Sequence, residues 1–364
     1  MLNKFINQIE PLITYKDKKS INDYLKLNRW ITESKFTKKF EELFAKKTHS
    51  KYAIALPNGT LTLTTILLSL GIKPNDEVIV PSYTMVATAN SVQLIGAKPI
   101  FCDISKDNLC LSHYELENKI SKKTKAIIYV TLNGRSGDIK KIKDICNKKK
   151  IYLIEDSAHS IGSYFKKIHH GNFGIASSFS FSTPKIITTG QGGMIVTNNN
   201  KIYKKIKKIK NFGRSSDGND LYEDIGYNFK FTDLQAVLGI SQISDLEKRI
   251  KKKKEIFQYY WKLLSKNKNI KMFNFEKNET PWFVDIYVEK PKKLQNYLKL
   301  KKISSRLVYP SLNTLKIFQA KGNFNNSNYY CKRGLWLPSS LSLKKNEIKM
   351  ISKYINDFFE NSYA

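Results

Sequence analysis

Lys185 lies in SFSFSTPKIITTGQGGMIVT (178–197), between an aromatic, strand-like run and the Gly190-Gln191-Gly192-Gly193 turn. An amine held in a partly desolvated pocket is nucleophilic toward a carbonyl, so this lysine could form a Schiff base. In a chain this rich in lysine, that position alone carries little weight. A second segment, IYLIEDSAHSIG (151–162), is a β-branched and aromatic run ending in carboxylates. Open α/β sheets bind ligands beyond the carboxyl ends of their strands. Asp156 could there pair with a cationic ring nitrogen, and His159 could bond a phenolic oxygen or stack on a ring. An aspartate at a strand end also caps helices, and both readings stand. In ALPNGTLTL (55–63) a strand, a turn and a helix starting near Thr60 follow one another. A helix start offers unpaired N–H groups and a partial positive charge, which can hold a phosphate, and Gly59 lets the backbone come close. Glycine at such a connection also simply makes the turn. Asn228, in DIGYNFKFTDLQAVLG (224–239), is a polar side chain in an aromatic run ahead of a helix, where asparagine also closes turns.

These residues need a framework. Short runs rich in Ile, Val and Tyr recur at 52–56, 77–80, 98–104, 125–132, 151–156, 177–181 and 192–197. Helical segments such as LTLTTILLSL and IKKIKDICNKKK lie between them, which predicts an α/β domain with a largely parallel sheet covered on both faces. One long helix is expected to open at Thr232, with Gln235 three residues on completing a capping box. Its apolar positions run from Leu234 to Ile250, and Lys251 to Lys254 read as a solvated turn. Beyond residue 250 a strand-like FVDIYVE and a closing helix NEIKMISKYINDFF suggest a smaller α+β domain. The expected division is 1–250, with a helical segment over 1–50, and 251–364.

Composition narrows the class. The 364 residues include 41% hydrophobic and 26% charged side chains, enough to bury a core. The net charge of +32 is spread along the chain and not gathered in a tail or stripe, so it reads as solvated surface and not as a nucleic-acid footprint. The four cysteines lack zinc-ligand spacing and read as buried thiols of a reducing compartment; no metal is expected. Glu10 and Pro11 interrupt the N-terminal stretch, and Pro57, Asn58 and Gly59 interrupt the most apolar one. Neither a signal peptide nor a membrane span is expected, and the chain reads as soluble and cytoplasmic.

Taken together, SFSFSTPKIITTGQGGM, EDSAHSIG, VPSYTMVATAN, ALPNGT and IGYNFKFTDLQAVLG resemble the DegT/DnrJ/EryC1/StrS sugar aminotransferases, which are fold-type I pyridoxal 5'-phosphate enzymes. The likeness runs from about Trp30 to Ser340 and is densest between 52 and 240. It implies that Lys185 binds the cofactor covalently and shuttles the proton, and that Asp156 keeps the pyridine nitrogen protonated. By the same resemblance His159 holds the phenolic oxygen, where many relatives have Gln or Glu, and Gly59, Thr60 and Ser180 hold the phosphate. Asn228 matches a residue that reaches the phosphate of the neighbouring subunit, so a homodimer is implied. Met85 stands where an aromatic ring often covers the cofactor, with Tyr83 nearby; Gln191 and the LNGR run (132–135) also depart from the common pattern. Arg135 could meet a substrate phosphate or the donor carboxylate, or lie on the surface. The implied reaction moves an amino group from L-glutamate, leaving 2-oxoglutarate, to a nucleotide-diphosphate 4-keto-6-deoxyhexose. A guanosine-linked, perosamine-type product and thymidine- or uridine-linked 4-amino sugars all fit, for a surface polysaccharide or glycan. Related sugar dehydratases carry histidine in place of the lysine, so Lys185 favours transamination. Amination at the 3-position and a cofactor-bearing regulatory or nucleic-acid-binding protein are the alternatives.

Overall fold

The computed structural model describes residues 5–215, 220–318 and 320–361, so the first four residues of the N-terminal stretch lie outside it. Two helices, α1 (Tyr15–Leu25) and α2 (Lys35–Thr48), come first. Strand–helix units follow: β1 (Tyr52–Leu56), α3 (Gly59–Ser69), β2 (Glu77–Pro81), α4 (Ala87–Gln93), β3 (Lys98–Cys102), α5 (His113–Leu116), β4 (Thr124–Val130), α6 (Ile139–Lys149) and β5 (Tyr152–Asp156). A small hairpin, β6 (Tyr164–Phe165) and β7 (Ile168–His169), precedes β8 (Ala176–Ser180), β9 (Gly193–Thr197) and α7 (Asn200–Lys210). The chain ends with α8 (Asp233–Ser244), α9 (Leu246–Leu264), β10 (Val284–Tyr287), α10 (Pro291–Leu300), β11 (Arg306–Leu307), α11 (Asn325–Arg333), β12 (Gly334–Leu337) and α12 (Lys345–Glu360).

The seven-stranded sheet has the order β1-β9-β8-β5-β4-β2-β3. Only β9 in it runs against its neighbours; the other adjacent pairs are parallel. Successive side chains of a strand point to opposite faces. Ala53, Ala55, Ile127 and Tyr129 therefore join one core, and Ile54, Leu56, Ala126 and Ile128 join the other. Both faces are apolar because helices cover both, as the sequence pattern predicts.

The expected long helix is two helices. Thr232 caps α8, accepting from the Gln235 amide at 3.2 Å and donating to Gln235 Oε1 at 2.8 Å. The helix ends at Asp245, whose φ and ψ are −105° and 10°. Just before it, Ser244 turns its hydroxyl onto the Ser241 carbonyl, the kind of local bond that competes with helix continuation. The lysines 251–254 are not a solvated turn: they lie within α9, and Lys253 is buried.

A three-stranded antiparallel sheet, β10-β12-β11, forms the second layer system. Ile256 and Tyr260 of α9 pack with Val284, Ile286, Leu335 and Ile351 in its core, whereas Leu246 packs with the first unit. Residue 250 thus falls inside a helix that serves both. Residues 5–10 run along the second unit, with Ile6 bridged to Ile303 and the Gln8 carbonyl accepting from the Ser339 amide at 3.0 Å. Among the described residues no helix is long and apolar enough to cross a membrane.

Candidate active site

β1, β2, β4, β5 and β8 share one direction, so their carboxyl ends open on the same edge of the sheet. The two acids that close β5 point opposite ways, as strand alternation requires. Glu155 is buried away from that edge and accepts from the amides of Gly171, Phe173 and Gly174 at 2.8, 2.7 and 2.9 Å. Asp156 faces the edge. Its Oδ2 accepts from the Thr88 hydroxyl at 2.8 Å and its Oδ1 from the Ala158 amide at 3.2 Å. Burial pushes the Asp156 carboxyl above its ordinary range, while these bonds and the Lys185 amine pull it back.

His159 is buried and stacks on Trp282, with ring centres 3.9 Å apart and planes 16° from parallel. Its Nδ1 accepts from the Asn133 amide at 3.3 Å. That bond assigns the ring proton to Nε2, which is thereby a donor. Burial, helped by the Lys185 charge, holds the imidazole well below its usual pKa, so it is neutral. Lys185 sits on the connection from β8 to β9. Its side chain is only partly covered, but its amine lies 4.0 Å from the centre of the Trp282 ring. Burial lowers the amine pKa to about 7 against the pull of Asp156.

Gly59 is the first residue of α3, whose cap Asn58 accepts from the Leu61 amide at 2.9 Å. A Cβ on Gly59 would stand 3.3 Å from Ser180 Cβ and 3.6 Å from its Oγ. The bare Cα therefore lets the Ser180 hydroxyl lie alongside the helix start, where the amides of Gly59 and Thr60 have no helical acceptor. Helix start and hydroxyl together form a place suited to an anion. Among the described residues no group of His, Cys, Asp or Glu is arranged to hold a metal.

A family profile for the DegT/DnrJ/EryC1/StrS aminotransferases matches residues 11–356. The chain belongs to this family. GDP-perosamine synthase of Escherichia coli O157:H7 is 34% identical over 98% of this chain and 100% of its own length. The Vibrio cholerae protein of the same name is 33% identical, over 96% and 98%. Among solved structures, an aminotransferase from Psychrobacter cryohalolentis superposes with a TM-score of 0.92 at 26% identity, covering 98% of this chain and 99% of that one. The PLP form of a Streptococcus pneumoniae protein described as a sugar aminotransferase gives 0.93 at 25%, over 98% and 99%. This family member is accordingly a PLP-dependent sugar aminotransferase with the fold-type I architecture.

Lys185, Asp156 and His159 come together, and Gly59 and Thr60 at the start of α3 and Ser180 at the end of β8 lie at the same edge. Met85 is 42% exposed, and its sulfur accepts from the Ala87 amide. Tyr83 is buried, with its hydroxyl 3.1 Å from that of Tyr287 in the second unit. Asn228 is exposed and bridged to Asn211; its described contacts do not include the residues around Lys185.

Arg135 corrects the sequence reading most. It is not a surface residue. It is buried, and its Nη1 and Nη2 hold Asp285 of β10 at 2.9 and 2.8 Å, with the guanidinium 4.3 Å from the Phe275 ring centre. Burial opposes its charge and Asp285 more than restores it. The whole LNGR run serves the same junction. Asn133 Oδ1 accepts from the Phe283 amide at 2.6 Å while its Nδ2 donates to the Phe283 carbonyl at 2.9 Å. Gly134 has φ +94°, and a Cβ there would fall 2.1 Å from the Thr280 carbonyl oxygen.

Thr88, Asn133, Trp282 and Tyr309 were not predicted. Thr88 lies inside the VPSYTMVATAN segment, three residues after Met85, but a threonine in an apolar helix start carries no sign of its acceptor. Trp282 and Tyr309 reach the site from the second unit, and no local spacing marks them; Tyr309 lies 6.5 Å, ring centre to ring centre, from His159.

Proposed function

We propose that this protein transfers the amino group of L-glutamate to C4 of a nucleotide-diphosphate 4-keto-6-deoxyhexose, yielding 2-oxoglutarate and a 4-amino-4,6-dideoxy sugar. The observation that carries the reading is the Lys185 amine, tuned to about 7 by burial, facing both Asp156 and a neutral His159. An amine with that pKa is present as both acid and base near neutral pH. The kinship with two GDP-perosamine synthases over nearly the full chain supports a GDP-linked keto-sugar as the first substrate to test.

The residues fit pyridoxal phosphate. Gly59, Thr60 and Ser180 offer the anion cradle, in a gap that a Cβ at position 59 would narrow. The Asp156 carboxylate keeps acceptor capacity beyond its two described donors, which suits a protonated ring nitrogen. His159 presents Nε2–H, which suits a phenolic oxygen. When bound, pyridoxal phosphate supplies an electron sink for charge developing beside the transferred nitrogen. Lys185 Nζ moves a proton at glutamate Cα in one half-reaction and at the sugar carbon in the other. Asp156 and His159 orient the ring, and the Trp282 indole shields the amine from water on one side. A second copy would complete the site by presenting Asn228. Exposed Leu221, Tyr222, Ile225 and Tyr227 on the same segment support a contact there.

Absorbance spectroscopy tests the reading. The protein supplied with pyridoxal phosphate is expected to develop a visible band, which L-glutamate bleaches and a GDP-linked 4-keto-6-deoxyhexose restores, with an amino sugar found by mass spectrometry. Failure to develop any band would sink it. Restoration by thymidine- or uridine-linked keto-sugars alone would replace the guanosine assignment.

A further inference from the structure

Trp282 is held from three sides. Its indole N–H donates to the carbonyl of Pro184, the residue before Lys185, at 2.8 Å. Its own carbonyl accepts from the Lys253 amine at 2.7 Å, and the same amine bonds the Ser339 carbonyl at 2.7 Å. Its ring stacks on His159 at 3.9 Å and carries the Lys185 amine 4.0 Å from its centre. Fixing the carbonyl and the indole nitrogen fixes the plane of the ring. Two lysine amines, from a buried Lys253 and a half-buried Lys185, thus meet its backbone and its π face.

We propose that Trp282 is the resting site of the Lys185 amine whenever that amine is free of the cofactor, a positioning residue kept in plane by Pro184 and Lys253. The inference rests on the reading that Lys185 is the cofactor lysine. In every transamination cycle that amine must leave the cofactor carbon and return to it, and a mobile lysine would lose its aim in between. The π face attracts an ammonium electrostatically and gives it a fixed place within reach of the cleft. The titratable groups facing the amine are Asp156 and His159. His159 is neutral and Asp156 favours the charged amine, so the indole adds to Asp156 against burial. Removing the ring should therefore depress the amine further and free it to wander.

The test uses the full-length protein. Borohydride reduction after pyridoxal phosphate loading, followed by peptide mass mapping, first asks whether Lys185 carries the cofactor. A label on another lysine would refute the underlying reading. The pH dependence of amine acetylation at Lys185 is then measured by mass spectrometry on cofactor-free protein. Trp282→Leu is expected to lower the midpoint by about one pH unit, as loss of a desolvated cation–π contact implies. Trp282→Phe, which keeps a π face, is expected to stay nearer the parent than Trp282→Leu. Because Trp282→Leu could fail to fold, the parent chain grown with mono-, di- and trifluorotryptophan provides a second series. Its midpoint should fall stepwise as the ring loses electron density. Label on Lys185 in every variant with no movement of the midpoint, or a fluorination series that stays flat, would overturn the role of Trp282 while leaving Lys185 as the cofactor lysine.

Discussion

Replacing Asp285 by alanine should leave the Arg135 guanidinium uncompensated in the interior. Both side chains are 2% exposed, and besides Asp285 the described partners of Arg135 are the Phe273 carbonyl at 3.4 Å and the rings of Phe273 and Phe275. Breaking a buried pair by removing one partner typically costs about 3–5 kcal/mol. Globular proteins unfold near 60 °C with an entropy of about 2.1 cal/mol/K per residue, so 364 residues give roughly 0.8 kcal/mol per degree. The expected fall in Tm is then about 4–6 °C by scanning calorimetry, with all variants free of cofactor so that ligand linkage does not intrude. The double variant Arg135→Met/Asp285→Leu removes both charges and should recover more than half of the loss, because the desolvation penalty disappears with the attraction. A shift of less than about one degree in Asp285→Ala, or a double variant no better than the single one, would refute the view that this pair locks the two units together.

Lys185→Ala should abolish turnover while leaving circular dichroism and oligomeric state unchanged; retained transaminase activity would remove Lys185 from the site. His159→Gln keeps a neutral donor and should keep most activity, whereas His159→Leu should lose roughly tenfold or more in kcat/KM, and equal activities would end the assignment of a donor role. Lys253 has its pKa lowered by burial from 10.5 to about 7. Between those values the unfolded chain binds a proton that the folded chain lacks, so stability from this group rises with pH across the window and is lost as pH falls toward 7. The Tm of the parent relative to Lys253→Met should accordingly climb between pH 7 and pH 10; a flat difference would argue against an amine whose pKa burial has lowered.

Most strands of the large sheet were legible because they are short runs rich in Ile, Val and Tyr bounded by turns, and Lys185, Asp156 and His159 stood out because they close or follow such strands. Local pattern and the rule that ligands sit at strand ends made these three candidates; only the joint resemblance of five segments gave them roles. What escaped has a common cause. Arg135 looked available because its local sequence does not name its partner: Asp138, three residues on, is not the acid it holds, and Asp285 lies 150 residues away. Lys253 looked solvated because it stands in a run of four lysines, although helical geometry turns only one of them toward the Trp282 and Ser339 carbonyls. Trp282 was invisible for the same reason: its contacts are fixed by what the second unit brings against the first. The helix break at Asp245 follows from side-chain bonds to backbone, which the apolar spacing does not register.

The adjacent acids at the end of β5 act as a check on alignment during folding. In the native pairing Glu155 satisfies three loop amides while Asp156 takes the Thr88 hydroxyl. A slip of β5 by a single residue would exchange the two faces. The longer side chain would then crowd the cleft, the shorter one would fall short of the loop, and three amides would be stranded together. Misalignment at this strand would therefore be costly: Asp156 equips the cleft, and its neighbour Glu155 makes the wrong alignment unstable.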